Sequence, residues 1–188
     1  MCVDRFAVGD DNVAAHASDL LVEDCTFGTG HGASIGSLGG DVGDLHNITF
    51  RGIVFSGTTQ ALRIKSDAGA SGVLHDVYYE NLSIHNVGTT VVINMDYTGS
   101  DASTSPVPLQ QRTPEADGDG GTTLQIRNVY FSNITVQGTG CAGQLACAAS
   151  SPCHSLEMSN FQQLGVGAPW SCSNAFGTAT DVVPKPCI

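Results

Sequence analysis

The sequence predicts an all-β chain folded as a parallel β-helix, a solenoid in which each coil of strands stacks on the one before it. The main observation is a nearly constant period. Phe27 and Phe55 are 28 residues apart, Phe55 and Ile84 are 29 apart, and Ile35 and Ile64 are also 29 apart. Such periods are typical of solenoids, in which each repeat buries its apolar face only against its neighbours.

The second observation is the composition of the repeats. They are rich in Val, Ile, Phe, Tyr and Thr and are interrupted by Gly, Asn and Asp, which indicates short strands joined by turns. Ile64 and Ile93 are again 29 residues apart. Because equivalent positions recur a full coil apart, a β-helix is favoured over a sandwich. A leucine-rich repeat is the structural alternative, but its leucines at fixed spacing are not present.

Length and pattern set the domain organisation. The 188 residues are predicted to form one domain, residues 1–188. Residues 98–123, rich in Gly, Ser, Pro and Asp, are predicted to be a surface loop inserted between two similar strand patterns. After Gly138 the repeat fades, and residues 139–188 are interpreted as a cysteine-rich tail.

Charge and cysteine content limit the possible partners and compartment. The chain has 7 Lys plus Arg against 18 Asp plus Glu, a net charge of -11, so it is expected to bind neither nucleic acid nor an anionic membrane. Seven cysteines and the glycosylation strings at Asn47, Asn81 and Asn133 predict a secreted, extracellular and glycosylated protein, expected to be monomeric. No signal peptide is recognisable after Met1, so residues are expected to precede it.

Three short strings suggest chemistry: Gly9-Asp10-Asp11-Asn12, Gly30-His31-Gly32 and Arg63-Ile64-Lys65. In a β-helix, residues one period apart lie on neighbouring rungs at about 4.8 Å. The strings are therefore predicted to occupy three consecutive rungs. Period-two alternation would turn Arg63 and Lys65 outward, with Ile64 facing the core.

These residue types suit cleavage of an acidic sugar polymer. Two neighbouring carboxyl groups can supply a protonated acid beside an ionised base for glycosidic cleavage. His31 could tune that acid or hold a sugar hydroxyl. Arg63 and Lys65 could bind the carboxylate of a uronic acid, which an otherwise acidic chain would need for such a substrate.

In their order and spacing, and in the run Ala33–Gly40 after the histidine, the strings resemble the polygalacturonase family, the pectin-degrading glycoside hydrolases of family 28. The resemblance extends from Gly9 to the last cysteine and corresponds to about the C-terminal two-thirds of such an enzyme. It implies a right-handed parallel β-helix that hydrolyses the α-1,4 bonds of pectin or polygalacturonate with inversion, as a step in cell-wall carbohydrate metabolism. No cofactor and no metal are expected.

The resemblance also assigns roles to individual residues. Asp10 would be the general acid, and Asp11 would activate water together with the Asp of an Asn-Thr-Asp string that the family carries about one coil earlier. That string is not in this chain, so the chain is expected to lack N-terminal coils and to have little activity alone. His31 would belong to the family's histidine segment. Asn12 departs from the cysteine that many relatives have there.

Substrate contacts and disulfides follow from the same resemblance. Arg63 and Lys65 match the string that binds the substrate carboxylate, and Tyr97 falls where the family has a substrate-contacting tyrosine. Two cysteine spacings, Cys147 to Cys153 and Cys172 to Cys187, resemble the family's C-terminal disulfides. A bridge between Cys2 and Cys25 is possible, and Cys141 is then left over.

The remaining histidines show no metal-ligand spacing and are expected at the surface: His16, His46, His75, His85 and His154.

Two alternatives to the hydrolase remain. Because the third Asp is absent, one is a non-catalytic β-helix that binds pectin or another sugar. The other is a related hydrolase of rhamnogalacturonan or xylogalacturonan, although Arg63 with Lys65 favours galacturonate.

Overall fold

The computed structural model describes residues 2–4, 10–98, 121–165 and 167–188. Within these ranges the regular structure is entirely β, which confirms the predicted fold class. The strands are β1 Cys2–Asp4, β2 Val13–Ala15, β3 Leu20–Glu23, β4 Cys25–Phe27, β5 Ala33–Leu38, β6 Asp41–Arg51, β7 Val54–Ser56, β8 Gln60–Ser66, β9 Ser71–His85, β10 Thr89–Asn94, β11 Gln125–Gln137, β12 Cys141–Ala146, β13 Cys153–Gln163, β14 Ser171–Ser173 and β15 Ala175–Val183.

The strands form two parallel sheets that the chain visits in turn. The six-stranded sheet has the order β14-β12-β10-β8-β5-β2. The nine-stranded sheet contains the path β1-β4-β7-β9-β11-β13-β15, with β6 paired to both β3 and β9. Because each strand hydrogen-bonds to its counterpart in the next coil, the molecule is a parallel β-helix, as predicted.

The predicted internal columns are present. Phe27 pairs with Phe55, and Phe55 pairs with Ile84. All three side chains are at most 1% exposed, and the two phenyl rings contact edge to face, with centroids 5.4 Å apart. Ile35, Ile64 and Ile93 form the second column on β5, β8 and β10. The sequence period therefore measures one coil.

An aromatic ladder connects the core to the strand that bears the basic string. Tyr79 is stacked between Phe50 and Phe131, with ring centroids 5.2 and 5.3 Å away. Complete burial raises the pKa of the Tyr79 phenol, so the hydroxyl keeps its proton. That hydroxyl lies 3.5 Å from the backbone oxygen of Arg63, to which it can donate. Core packing thus supports β8 at the position of Arg63.

Asp and Asn residues form polar ladders at the corners of the coils, where the backbone takes positive φ. Asn47 donates its amide to Asp19 at 2.7 Å, and Asn128 donates to Asp76 at 3.0 Å. All four have φ between 53° and 57°, a conformation that Asn and Asp adopt more readily than most residues. The predicted acceptors Asn47, Asn81 and Asn133 are exposed at such corners, and their glycosylation stays a prediction.

The solenoid continues where the sequence repeat fades. Strands β12 to β15 extend both sheets beyond Gly138. Disulfides join Cys147 to Cys153 and Cys172 to Cys187 in this region, the pairs that the resemblance implied. The cysteine-rich tail is therefore built of coils like the rest of the described chain.

The other cysteines differ from these pairs. Cys25 is disulfide-bonded, and the β1–β4 pairing sets the backbone of Cys2 opposite it. The side chain of Cys2 lies outside the described part, so a Cys2–Cys25 bridge stays a prediction. Cys141 is a free thiol, and partial burial raises its pKa.

Most of the predicted surface loop 98–123 lies outside the described residues. The described ranges contain no helix with the length and hydropathy needed to cross a bilayer.

Candidate active site

The predicted site residues lie on, or next to the ends of, four neighbouring strands of the six-stranded sheet. Asp10 and Asp11 precede β2, and His31 precedes β5. Arg63 and Lys65 lie on β8, and Tyr97 follows β10. Because these strands are adjacent in the order β10-β8-β5-β2, the parallel register brings all six side chains to one region of the sheet.

The two carboxylates and the imidazole form a compact group. Asp10, Asp11 and His31 each offer one oxygen or nitrogen atom, and these atoms all lie within 4.8 Å of one another. The backbone fixes this arrangement, because the His31 N–H donates to the Asp10 carbonyl at 3.0 Å. The Asp11 N–H in turn donates to the Asp10 carboxylate at 2.8 Å. Asp10 is exposed, whereas His31 is half-buried.

Asp11 is the electrostatic centre of the site. One carboxylate oxygen accepts from the Lys65 ammonium at 2.8 Å. The other accepts from the Ser34 hydroxyl at 2.7 Å and lies 3.7 Å from the Arg63 guanidinium. The Asp11 side chain is only 6% exposed, so its charge needs these partners to offset the loss of hydration.

Close backbone packing explains the glycines around His31. Gly32 has φ of +77°, and a Cβ there would overlap the carbonyl oxygens of Gln60 and Ala61 on β8. A Cβ on Gly30 would lie 2.9 Å from the side chain of Asn12 and from the Asp10 carbonyl oxygen. Only glycine therefore allows the His31 loop to lie this close to the Asp10 segment and to β8.

Arg63 and Lys65 project from the outer face of β8, as the alternation predicted, but they are not open to solvent. The two residues are 2% and 6% exposed. The Tyr97 ring lies 5.6 Å from the Arg63 guanidinium carbon and 5.0 Å from the Lys65 nitrogen, within the range of cation–π contact. Both cations thus lie between a carboxylate and an aromatic ring.

Three further residues support the site, and none was singled out as functional from the sequence. Ser34 donates to Asp11, and the Gln60 amide oxygen accepts from Arg63 at 2.9 Å. The Asn12 side-chain oxygen accepts from the Gly32 N–H at 2.9 Å, which ties the acidic segment to the histidine loop. Ser34 could have been found from the predicted strand register, because it pairs with Arg63 across β5 and β8.

A second cluster includes two of the remaining histidines. His46 and His75 lie opposite each other on β6 and β9, and their rings stack 5.3 Å apart. With Asp44 they form a group whose ligand atoms all lie within 4.8 Å. Their spacing of 29 residues is one coil, so short metal-binding spacings could not have revealed them.

Comparisons with known proteins agree with the fold and the motifs. The family model described as glycosyl hydrolases family 28 matches residues 4–181. A polygalacturonase from Juniperus ashei is 34% identical over 97% of this chain, and one from Cryptomeria japonica is 33% identical over 90%. An endo-polygalacturonase from Pectobacterium carotovorum is 38% identical over 54% of the chain.

The chain therefore belongs to glycosyl hydrolases family 28, as the resemblance indicated. It spans about a third of the length of the first two relatives, 35% and 32% respectively.

Proposed function

We propose that this chain forms part of a secreted glycosidase that hydrolyses the α-1,4-galacturonosidic bonds of pectin or polygalacturonate. The main support is the group formed by Asp10, Asp11 and His31, whose polar atoms lie within 4.8 Å of one another beside Arg63 and Lys65. Glycosidic cleavage requires an acid and a base, and the two cations suit a sugar polymer that carries carboxylates.

Asp10 is the general acid of this proposal. It is the exposed member of the pair, so its carboxyl group can reach a glycosidic oxygen approaching from solvent. Its main-chain carbonyl accepts the His31 N–H, which keeps the imidazole close. His31 then orients the acid or binds a sugar hydroxyl.

Asp11 is the water-activating carboxylate. Its contact with the Lys65 ammonium at 2.8 Å orients the carboxylate group within the site. A carboxylate has about four lone-pair positions, and the hydrogen bonds from Ser34 and Lys65 occupy two of them. Arg63, at 3.7 Å, adds its charge without a hydrogen bond. In this proposal the attacking water binds at one of the remaining positions.

Inversion is the part of the mechanism that depends most on the family resemblance. Inverting glycosidases usually separate their two carboxyl groups by about 6.5–9.5 Å to leave room for water. Asp10 and Asp11 offer oxygens within 4.8 Å of each other. We therefore propose that the attacking water binds beside Asp10 and Asp11 rather than between them. The third carboxylate, that of an Asn-Thr-Asp string, would help to bind this water.

The test combines activity with stereochemistry. Reducing-sugar release from polygalacturonate is measured for this chain and for an N-terminally extended form that carries the Asn-Thr-Asp string. We expect activity in the extended form, a β-anomeric first product by proton NMR, and a loss of about 100- to 10,000-fold on Asp10→Asn.

The matched control is Asp181→Asn. Asp181 is an exposed corner residue with φ of 54° on β15, a conformation that Asn also adopts, so this variant should keep full activity. An α-anomeric product would contradict inversion. An extended protein that binds trigalacturonate in calorimetry but releases no reducing sugar would instead support the non-catalytic sugar-binding alternative.

A further inference from the structure

We propose that Asp44, His46 and His75 form a binding site for a divalent transition-metal ion of the zinc type on the nine-stranded sheet. This site would be additional to the candidate active site, which lies on the other sheet. It does not depend on the proposed hydrolase activity.

The three side chains already present their donor atoms at suitable distances. One Asp44 carboxylate oxygen lies 2.8 Å from Nε2 of His75 and 3.4 Å from Nδ1 of His46. The donor atoms all fall within 4.8 Å. Two ligands of a tetrahedral zinc ion are separated by about 3.4 Å when each bond is about 2.1 Å. Small side-chain movements would therefore bring the three donors to zinc geometry.

Asp76, the residue that follows His75 in the sequence, supports this assignment. Nδ1 of His75 lies 2.8 Å from an oxygen of Asp76, whose other oxygen accepts from the Asn128 amide at 3.0 Å. Metal-binding histidines commonly bond to a carboxylate through the nitrogen that does not contact the metal, which fixes the ring and raises its basicity. Asp76 thus occupies the position of such a supporting carboxylate.

The metal would also resolve the environment of His75. Both of its nitrogens face carboxylate oxygens. A zinc ion between His75 and Asp44 would bind Nε2 and leave Nδ1 to contact Asp76. Two imidazoles and one carboxylate suit zinc or copper better than calcium or magnesium, which prefer oxygen ligands.

The group formed by Asp10, Asp11 and His31 satisfies the same distance criterion but is a poorer metal site. Asp11 already pairs with Lys65 at 2.8 Å, and Arg63 lies nearby, so two positive charges oppose a cation there. Near the group formed by Asp44, His46 and His75, Arg127 lies opposite His75 on β11. It is on the side of β9 away from β6, which carries Asp44 and His46.

The first experiment titrates the chelator-treated chain with zinc chloride in a calorimeter. We expect saturable binding of one ion per chain, with no comparable binding of magnesium. His46→Ala and His75→Ala should each weaken binding at least about tenfold, and Asp76→Asn about 10- to 100-fold. His154→Ala is the matched control, because His154 lies further along the same face and stacks on Phe176.

A second measurement needs no variant. In proton–carbon NMR spectra of the unmodified chain, zinc should shift the imidazole signals of His46 and His75 and leave those of His154 unchanged. Absence of saturable binding at millimolar zinc would overturn the proposal. So would binding that survives the loss of both His46 and His75 but is abolished by His31→Ala, since the ion would then occupy the other cluster.

Discussion

Replacing Lys65 with methionine tests whether the buried ion pair is essential to the fold around the site. The Lys65–Asp11 pair and the Arg51–Glu23 pair have nearly the same length, 2.8 and 2.7 Å. Their burial differs widely. The Lys65 and Asp11 side chains are 8% and 6% exposed, whereas those of Arg51 and Glu23 are 48% and 44% exposed. The two pairs thus separate the effect of burial from that of geometry.

The expected magnitudes follow from what each substitution leaves behind. Lys65→Met leaves the Asp11 carboxylate buried, and removing one partner of a buried pair typically costs about 3–5 kcal/mol. Ser34 and Arg63 still contact Asp11, so we expect the lower end, about 3 kcal/mol. Arg51→Met leaves a solvated Glu23 and should cost no more than about 1 kcal/mol.

The assay is urea unfolding at neutral pH, with the free energy of unfolding compared for the two variants at equal denaturant slope. Asp11→Asn in the Lys65→Met background should recover part of the loss, because it removes the buried charge that has lost its lysine partner. Equal and small effects of Lys65→Met and Arg51→Met would refute the reasoning. Asp11 would then be hydrated, and its assignment as a carboxylate held by buried partners would be wrong.

Three other predictions concern the His31 loop, the acid range and the core. Gly32→Ala should lower the thermal midpoint measured by circular dichroism, because the added methyl overlaps the backbone of β8 and φ is +77°. The Asn128 and His75 contacts lower the pKa of Asp76, so its stabilisation is present above about pH 3.9 and is lost as pH falls below that value. The difference between urea midpoints at about pH 6 and about pH 3 should therefore shrink in Asp76→Asn. Phe131→Ala should cost about 3–5 kcal/mol in urea unfolding, because Phe131 is 1% exposed and stacks on Tyr79.

The period of the sequence was sufficient to predict the fold. Phe27, Phe55 and Ile84 recur at one-coil spacing and do pair with one another, because each coil must present the same apolar positions to its neighbour. The period was less informative after Gly138. Gln163 pairs with Val136, so a polar residue occupies a position that is apolar in earlier coils, and the repeat became unrecognisable while the backbone continued.

The sequence indicated which site residues come together but not their pairwise contacts. Adjacency of rungs placed His31 near Asp10, and alternation turned Lys65 outward. The burial of Lys65 could not be predicted, because it depends on Asp11 and Tyr97, which reach the same point from separate loops. The Asp44 group was missed for a related reason, since its histidines are distant in sequence and neighbours only through the register.

The charges at the site explain how an acidic chain could accept an acidic polymer. The chain has a net charge of -11, yet two carboxylates and two cations meet at the site, so the local charge is close to balanced. A substrate carboxylate arriving there would share Arg63 and Lys65 with Asp11. Such sharing would loosen the contact between Lys65 and Asp11 and leave the Asp11 carboxylate freer to contact water. The same contact that stabilises the free site would then couple binding of a uronate to activation of the attacking water. Under the proposed function, a neutral sugar polymer would lack the carboxylate that this coupling needs.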